Sequence, residues 1–330
     1  MSETLRVAVI GAGRIGRQHA KWYRSAGCDV VGFLGSSPES TARTQVLLNE
    51  ALGCAVPGYT DFQRLVAETE PAAVSICSPN ALHCEHVLQA IDAGLHVFCE
   101  KPLAWDSRQD PVQNLGDAQR MLAAAQRRGV LLGMNAQYVA AEPLYREWYE
   151  RERERGPLGA VERFEVVMQS RGRTDSVTAY DTWVDLASHP LSLLLKWVPE
   201  ACLYAESVQC AQSGKEITVN FSCVSRDNTL CECVIHLGHV AEGPVRRSLG
   251  VNGFMLDYEG RNDARGIFRS YLRQGDSERE YPDFLQTSIQ HFVQAVRGEG
   301  VLPLNAAEAY RNLELQVRLL EIGNITRGAS

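Results

Sequence analysis

Two short patterns place reactive side chains where chemistry could follow. Glu100-Lys101-Pro102 closes an apolar run, and Asp185 precedes His189 by four residues. A lysine at the end of a buried strand can hydrogen-bond a substrate oxygen and stabilise charge that develops there. The proline after it fixes the backbone, and a cis bond would suit that role. Histidine titrates near neutral pH and can exchange a proton with a carbinol oxygen. Four residues make about one helical turn, so Asp185 and His189 are expected on one helix, facing the same way. The aspartate would orient the imidazole or bind a neighbouring substrate hydroxyl. Taken singly, a lysine before proline is commonly a surface residue and an Asp/His pair a modest surface contact. Their joint occurrence favours catalysis. No third ligand accompanies the pair, so no metal site is expected.

A third pattern could hold a phosphate. Gly11-x-Gly13-x-x-Gly16 lies between the apolar run Leu5–Ile10 and the helically spaced Ile15–Ser25. The first glycine permits a tight turn, the second a close approach of backbone to a pyrophosphate, and the third close packing of helix on strand. Free N–H groups at the helix start then face the phosphates. Such sites commonly carry a carboxylate about 20 residues on, to bind a ribose hydroxyl. Here the second strand ends in Phe33-Leu34-Gly35-Ser36-Ser37, with no carboxylate before Glu39. Two serines in that place favour NADP(H) over NAD(H), with Arg14 and Arg43 as partners for a 2′-phosphate. In the plainer alternative, Ser36 and Ser37 only cap the next helix and NAD binds without discrimination.

These residues need a scaffold, and the chain alternates strand-like and helix-like segments to provide it. Strands are expected at Leu5–Ile10, Asp29–Leu34, Ala73–Cys77, His96–Cys99 and Val130–Met134. Helices are expected at Ile15–Ser25, His83–Ala93 and Gln113–Arg128. Repeated βα units predict a parallel sheet with helices on both faces. Beyond a helix at Ala141–Arg155 the pattern changes. Val161–Met168, Leu203–Gln209, Ile217–Val224, Leu230–Leu237, Gly253–Glu259 and Ile267–Leu272 follow one another as strands, which predicts a mostly antiparallel sheet. Helices at Phe284–Val296 and Ala306–Gly323 close the chain. The expected architecture is therefore an α/β N-terminal Rossmann domain, residues 1–137, and an α+β C-terminal domain, residues 138–330. The last helix is free to return to the first domain.

Composition sets the outer limits. The 330 residues suit about two domains. Apolar residues make up 45% and charged residues 22%, the balance of a globular protein. A net charge of −7 lacks the footprint of a nucleic-acid binder or a membrane-surface protein. The start, Met-Ser-Glu-Thr-Leu-Arg, does not read as a signal peptide, and a cytoplasmic location is expected. None of the ten cysteines forms a C-x-x-C pair, so reduced, structural thiols are expected. Cys231 and Cys233 should share one strand face.

The segments Gly11-Ala-Gly-Arg-Ile-Gly16, Ser78-Pro79-Asn80-Ala-Leu-His83, Gly94-Leu-His96-Val-Phe-Cys-Glu100-Lys101-Pro102 and Asp185-Leu-Ala-Ser-His189 resemble the glucose–fructose oxidoreductase / inositol dehydrogenase (Gfo/Idh/MocA) family. The resemblance extends over nearly the whole chain. It implies Lys101, Asp185 and His189 as catalytic residues. It also implies Gly11, Gly13, Arg14, Ile15, Gly16, Ser36, Ser37, Ser78, Asn80, His83, Glu100 and Lys101 around the cofactor, with Asn80 and His83 on the nicotinamide side. Tyr180 and Trp183 could wall the substrate pocket beside Lys101, Asp185 and His189, or fill a core. Gln137 stands where many relatives carry arginine, Asp181-Thr-Trp-Val replaces a glycine-rich lead-in, and Trp105–Leu115 looks like an insertion. The implied function is an NAD(P)-dependent, metal-independent interconversion of a secondary alcohol and a ketone on a sugar, cyclitol or sugar derivative. Two alternatives are a reductase of dihydrodiol or biliverdin type and a catalytically silent dinucleotide-binding regulator. A homodimer or homotetramer through the open face of the second sheet is expected.

Overall fold

The computed structural model describes residues 4–153, 156–171 and 176–327. It divides into two compact units. The first holds residues 1–136 and 285–311, and the second residues 137–284 and 312–330. The second stretch is therefore not one body from 138 onward, because residues 285–311 group with the first unit.

In the first unit β1 (Arg6–Ile10) leads into α1 (Arg14–Ser25), then β2 (Asp29–Leu34), α2 (Pro38–Leu52), β3 (Gly58–Tyr59), α3 (Phe62–Thr69) and β4 (Ala73–Ile76). After a short 3-10 turn, Asn80–Leu82, come α4 (His83–Asp92), β5 (His96–Glu100), α5 (Pro111–Arg128) and β6 (Leu132–Asn135). The six strands pair in the order β3-β2-β1-β4-β5-β6, all parallel. Sequence order reverses direction between β1 and β4, and ligands bind beyond the strand C-termini at such a point. Gly53 and Gly129 end α2 and α5 in the left-handed region, as helix C-termini favour. Part of the apparent insertion is the first turn of α5. Asp110 caps that helix, with Gln113 returning a bond to the cap backbone.

The second unit opens with the 3-10 turn Gln137–Ala141 and α6 (Glu142–Arg153). Residues 154 and 155 of the expected helix lie outside the described residues. Then follow β7 (Arg163–Arg171), α7 (Ala179–Leu186), α8 (Ser188–Trp197), β8 (Cys202–Ser213), β9 (Glu216–Val224), β10 (Leu230–Val240), β11 (Arg247–Val251), β12 (Phe254–Asn262), β13 (Phe268–Gln274) and β14 (Ser277–Pro282). The sheet order is β14-β13-β12-β11-β7-β10-β9-β8, antiparallel except where β7 meets β10. β11 and β14 were not legible in the sequence: both are short and polar at one end. Ile217, Val219, Phe221 and Cys223 of β9, with Cys231, Cys233, Ile235 and Leu237 of β10, are buried on one face, against which α7 packs. Cys231 and Cys233 share this face as alternation requires.

The chain closes with α9 (Phe284–Val296) and α10 (Ala306–Ile322). Most of α9 belongs to the first unit, where Phe292 stacks on Phe98 of β5 at 4.9 Å between ring centres. The chain after α9 extends the same sheet, with Met134 N–H donating to the Leu304 carbonyl at 3.1 Å. From Asn312 on, α10 belongs to the second unit. Of the two closing helices, most of α9 and the first residues of α10 group with the first unit.

Candidate active site

The glycine loop is built as its spacing requires. Gly11 has φ +87°, and a Cβ there would lie 2.7 Å from the Ser78 backbone nitrogen. The loops after β1 and β4 thus meet at the reversal point with no room for a side chain. A Cβ on Gly16 would come within 2.2 Å of the Gly11 carbonyl oxygen, so α1 lies directly on the turn. Gly13 differs: nothing stands within 4 Å of where its Cβ would be. It begins α1 without a side-chain cap, and no acidic residue occupies the first turn. Arg14 and Ile15 beside it are exposed. This open, uncapped helix start has the shape and polarity to cradle a pyrophosphate. At the end of β2, Ser37 is the cap of α2: the Ser40 N–H donates to its hydroxyl at 3.2 Å. Ser36 and Arg43 are exposed.

Two residues expected around the cofactor are buried in bracing contacts. His83 is fully buried, with Nδ1 2.9 Å from the Pro102 carbonyl and Nε2 3.0 Å from the Ser78 carbonyl. It braces the loop after β4 against the loop after β5. Burial lowers its pKa, and the two carbonyls oppose that. Glu100, the last residue of β5, is also buried. Its Oε1 lies 2.8 Å from His19 Nε2 and accepts from the Asn135 amide at 2.6 Å. The other His19 nitrogen, Nδ1, meets Ser75 Oγ at 2.7 Å. Burial by itself would raise the Glu100 pKa. The bond and charge of His19, the charge of Lys101 and the Asn135 amide outweigh it and hold the carboxyl down to about 2. Half-buried Lys101 follows, joined to Pro102 by a cis bond. Ser78 is buried, with Oγ 2.9 Å from His86 Nδ1, and Asn80 is half-buried at the start of the 3-10 turn. Sequence reasoning missed the His19–Glu100 pair, because the partners are 81 residues apart and His19 looked like one position of an apolar helix face.

In the second unit Asp185 and His189 ride on separate helices. Pro190 has no N–H to give the Leu186 carbonyl, so one bond is missing where the two helices meet, while Ala187 keeps a helical backbone at φ −64° and ψ −28°. Asp185 Oδ2 lies 3.5 Å from Nε2 of His239, at the end of β10. The His189 ring meets the edge of Tyr138 at 4.9 Å, and Tyr138 lies 5.1 Å from Tyr258. His239, Tyr138 and Tyr258 were not foreseen; a strand-end histidine and two isolated tyrosines carry no motif. The suggested pocket walls are instead core. Trp183 is fully buried and its indole N–H donates to the Gln316 carbonyl at 3.1 Å. Tyr180 is buried, and its hydroxyl accepts from Arg327 at 3.1 Å. Register also adds a third thiol to the expected two. Cys223 faces Cys231 across β9 and β10, and the sulfurs of Cys223, Cys231 and Cys233 lie within 4.8 Å of one another, a grouping that could hold a soft metal ion.

The sequence model of the Gfo/Idh/MocA family, described as "Oxidoreductase family, NAD-binding Rossmann fold", matches residues 5–136. This segment belongs to that family. It is 36% identical over 109 residues to D-glucoside 3-dehydrogenase of Escherichia coli, covering 33% of this chain and 30% of that protein. It is 37% identical over 134 residues to 1,5-anhydro-D-fructose reductase of Ensifer adhaerens, covering 39% of this chain and 35% of that protein. These matches span about a third of the relatives' own length. The fold extends further than the family match. An NAD-binding oxidoreductase from Klebsiella pneumoniae superimposes with a TM-score of 0.72 at 19% identity, over 98% of both chains.

Proposed function

We propose that the protein is an NAD(P)-dependent oxidoreductase that interconverts a secondary alcohol and a ketone on a sugar, cyclitol or sugar derivative. The observation that carries this reading is Lys101 at the C-terminal end of β5, in the same parallel sheet whose β1–β4 reversal point bears the open glycine cradle. The sugar-directed names of the family relatives support the substrate class. A nicotinamide dinucleotide held by residues 11–16 supplies the hydride acceptor or donor. Lys101 Nζ donates a hydrogen bond to the reacting oxygen and stabilises charge on it. His189 takes the hydroxyl proton on a ring nitrogen during oxidation and returns it during reduction. Asp185 orients His189 or holds a substrate hydroxyl, and its Oδ2 also lies 3.5 Å from His239 Nε2. Ser36, Arg14 and Arg43, exposed and with no carboxylate before Glu39, support a preference for NADP(H).

A panel of sugars, cyclitols and their keto forms, read by NAD(P)H fluorescence in both directions, tests the proposal. Lys101→Ala and His189→Ala should each lower turnover at least a hundredfold while the dinucleotide still binds. Unchanged turnover in either variant refutes its assignment. Tighter binding of NADH than of NADPH refutes the cofactor preference.

A further inference from the structure

The second unit carries an open cavity of about 700 Å³ where β11 begins between β7 and β12. Its charged lining falls into two groups. Glu259, Glu278 and Asp257 supply carboxylates, and two arginines serve the three. Arg261 bonds Glu259 at 2.7 Å and Glu278 at 2.5 Å, and Arg273 lies 3.5 Å from Asp257. Arg171, Arg246 and Arg247 line the same cavity. Arg171 donates to the Ala241 carbonyl at 3.5 Å, and Arg247 Nε to the Gln169 carbonyl at 3.0 Å. The lining thus counts four arginines against three carboxylates. Arg247 is the least exposed of the three, its guanidinium carbon 5.8 Å from the centre of the Tyr258 ring. From Tyr258 the aromatic contacts run through Tyr138 to His189, at 5.1 and 4.9 Å between centres. Arg247 thus stands at one end of a row of rings whose other end is the candidate acid–base histidine.

We propose that this cavity binds an anionic group of the substrate, a phosphate or a carboxylate, so that the substrate is an acidic sugar derivative rather than a neutral polyol. The proposal rests on the dehydrogenase reading for its link to His189, but the anion site itself stands on the cavity and its charges. Guanidinium groups match both anions as planar, bidentate donors, and half-burial of Arg247 reduces screening by salt.

The test is calorimetric titration of the full-length protein at low ionic strength with NADP present to occupy the glycine cradle. The probes are inorganic pyrophosphate and D-gluconate. Binding of pyrophosphate identifies a phosphate, and binding of gluconate a carboxylate. Arg247→Gln, and separately the exposed pair Arg171→Gln with Arg246→Gln, should weaken the bound probe about tenfold, while Arg247→Lys should restore part of the loss. Arg226→Gln, outside the cavity, should leave it unchanged. Failure of both probes to bind, or binding indifferent to all the cavity variants, overturns the proposal. Turnover that survives Lys101→Ala beside arginine-dependent anion binding would instead count against the dehydrogenase reading alone.

Discussion

The buried pair of His19 and Glu100 couples the second turn of α1 to the residue before Lys101. Burial works against charge on His19, but the Cys77 sulfur and the Glu100 carboxylate outweigh it and push its pKa from 6.5 up to about 10. Glu100 goes the other way, from 4.5 down to about 2. A depressed carboxyl adds stability above pH 4.5 and loses it as pH falls through about 2. A raised histidine adds stability below pH 6.5 and loses it as pH rises through about 10. The pair should therefore stabilise most between pH 4.5 and 6.5. Thermal melts should show Tm falling from pH 6.5 to 9.5 in the wild type and falling less in a His19→Gln/Glu100→Gln double variant; equal slopes would remove the pair from the account. His19→Leu alone leaves a buried carboxylate without its cation and should cost about 3–5 kcal/mol of unfolding free energy by denaturant titration.

At the scale of elements, the three glycines should not be equivalent. Gly13→Ala places a methyl in open space at an ordinary φ of −64°, so stability should hold. If a pyrophosphate lies over that helix start, dinucleotide affinity should nonetheless drop at least tenfold. Gly16→Ala drives a methyl into the Gly11 carbonyl oxygen and should lower stability as well, by about 1–3 kcal/mol or more. Melting temperatures and dinucleotide titrations on the two variants separate these outcomes. Ser37→Ala should cost about 1 kcal/mol through loss of the α2 cap. Element types were largely legible, because the βα alternation and the period-two strands are strong patterns. The junction of α7 and α8 was legible in principle from Pro190. The short β3, β11 and β14 were not: two to six residues carry too little pattern against turn-like neighbours, and their pairing partners hold them in place.

For the whole molecule, the face of the second sheet opposite α7 is half-buried and polar, with Val167 and Val234 on its central strands β7 and β10. A homodimer or homotetramer through this face remains the expectation. Light scattering at micromolar concentration should find an oligomer, and Val234→Glu should shift it towards monomer; a wild-type monomer would end the idea. Among the described residues no helix is long and apolar enough to cross a membrane.

The sequence by itself determined the parallel sheet, the glycine turn, the placing of Lys101 at a strand end and the antiparallel second sheet, because each is written in local spacing and side-chain type. Tertiary structure alone decided what burial and long-range pairing control. It set His83 and Glu100 in buried bracing networks, and between the two readings of Trp183 and Tyr180 it buries both. It gave Asp185 a histidine from β10 and assigned most of α9 to the first unit. Those outcomes depend on which side chains meet across tens of residues, and no local pattern records that.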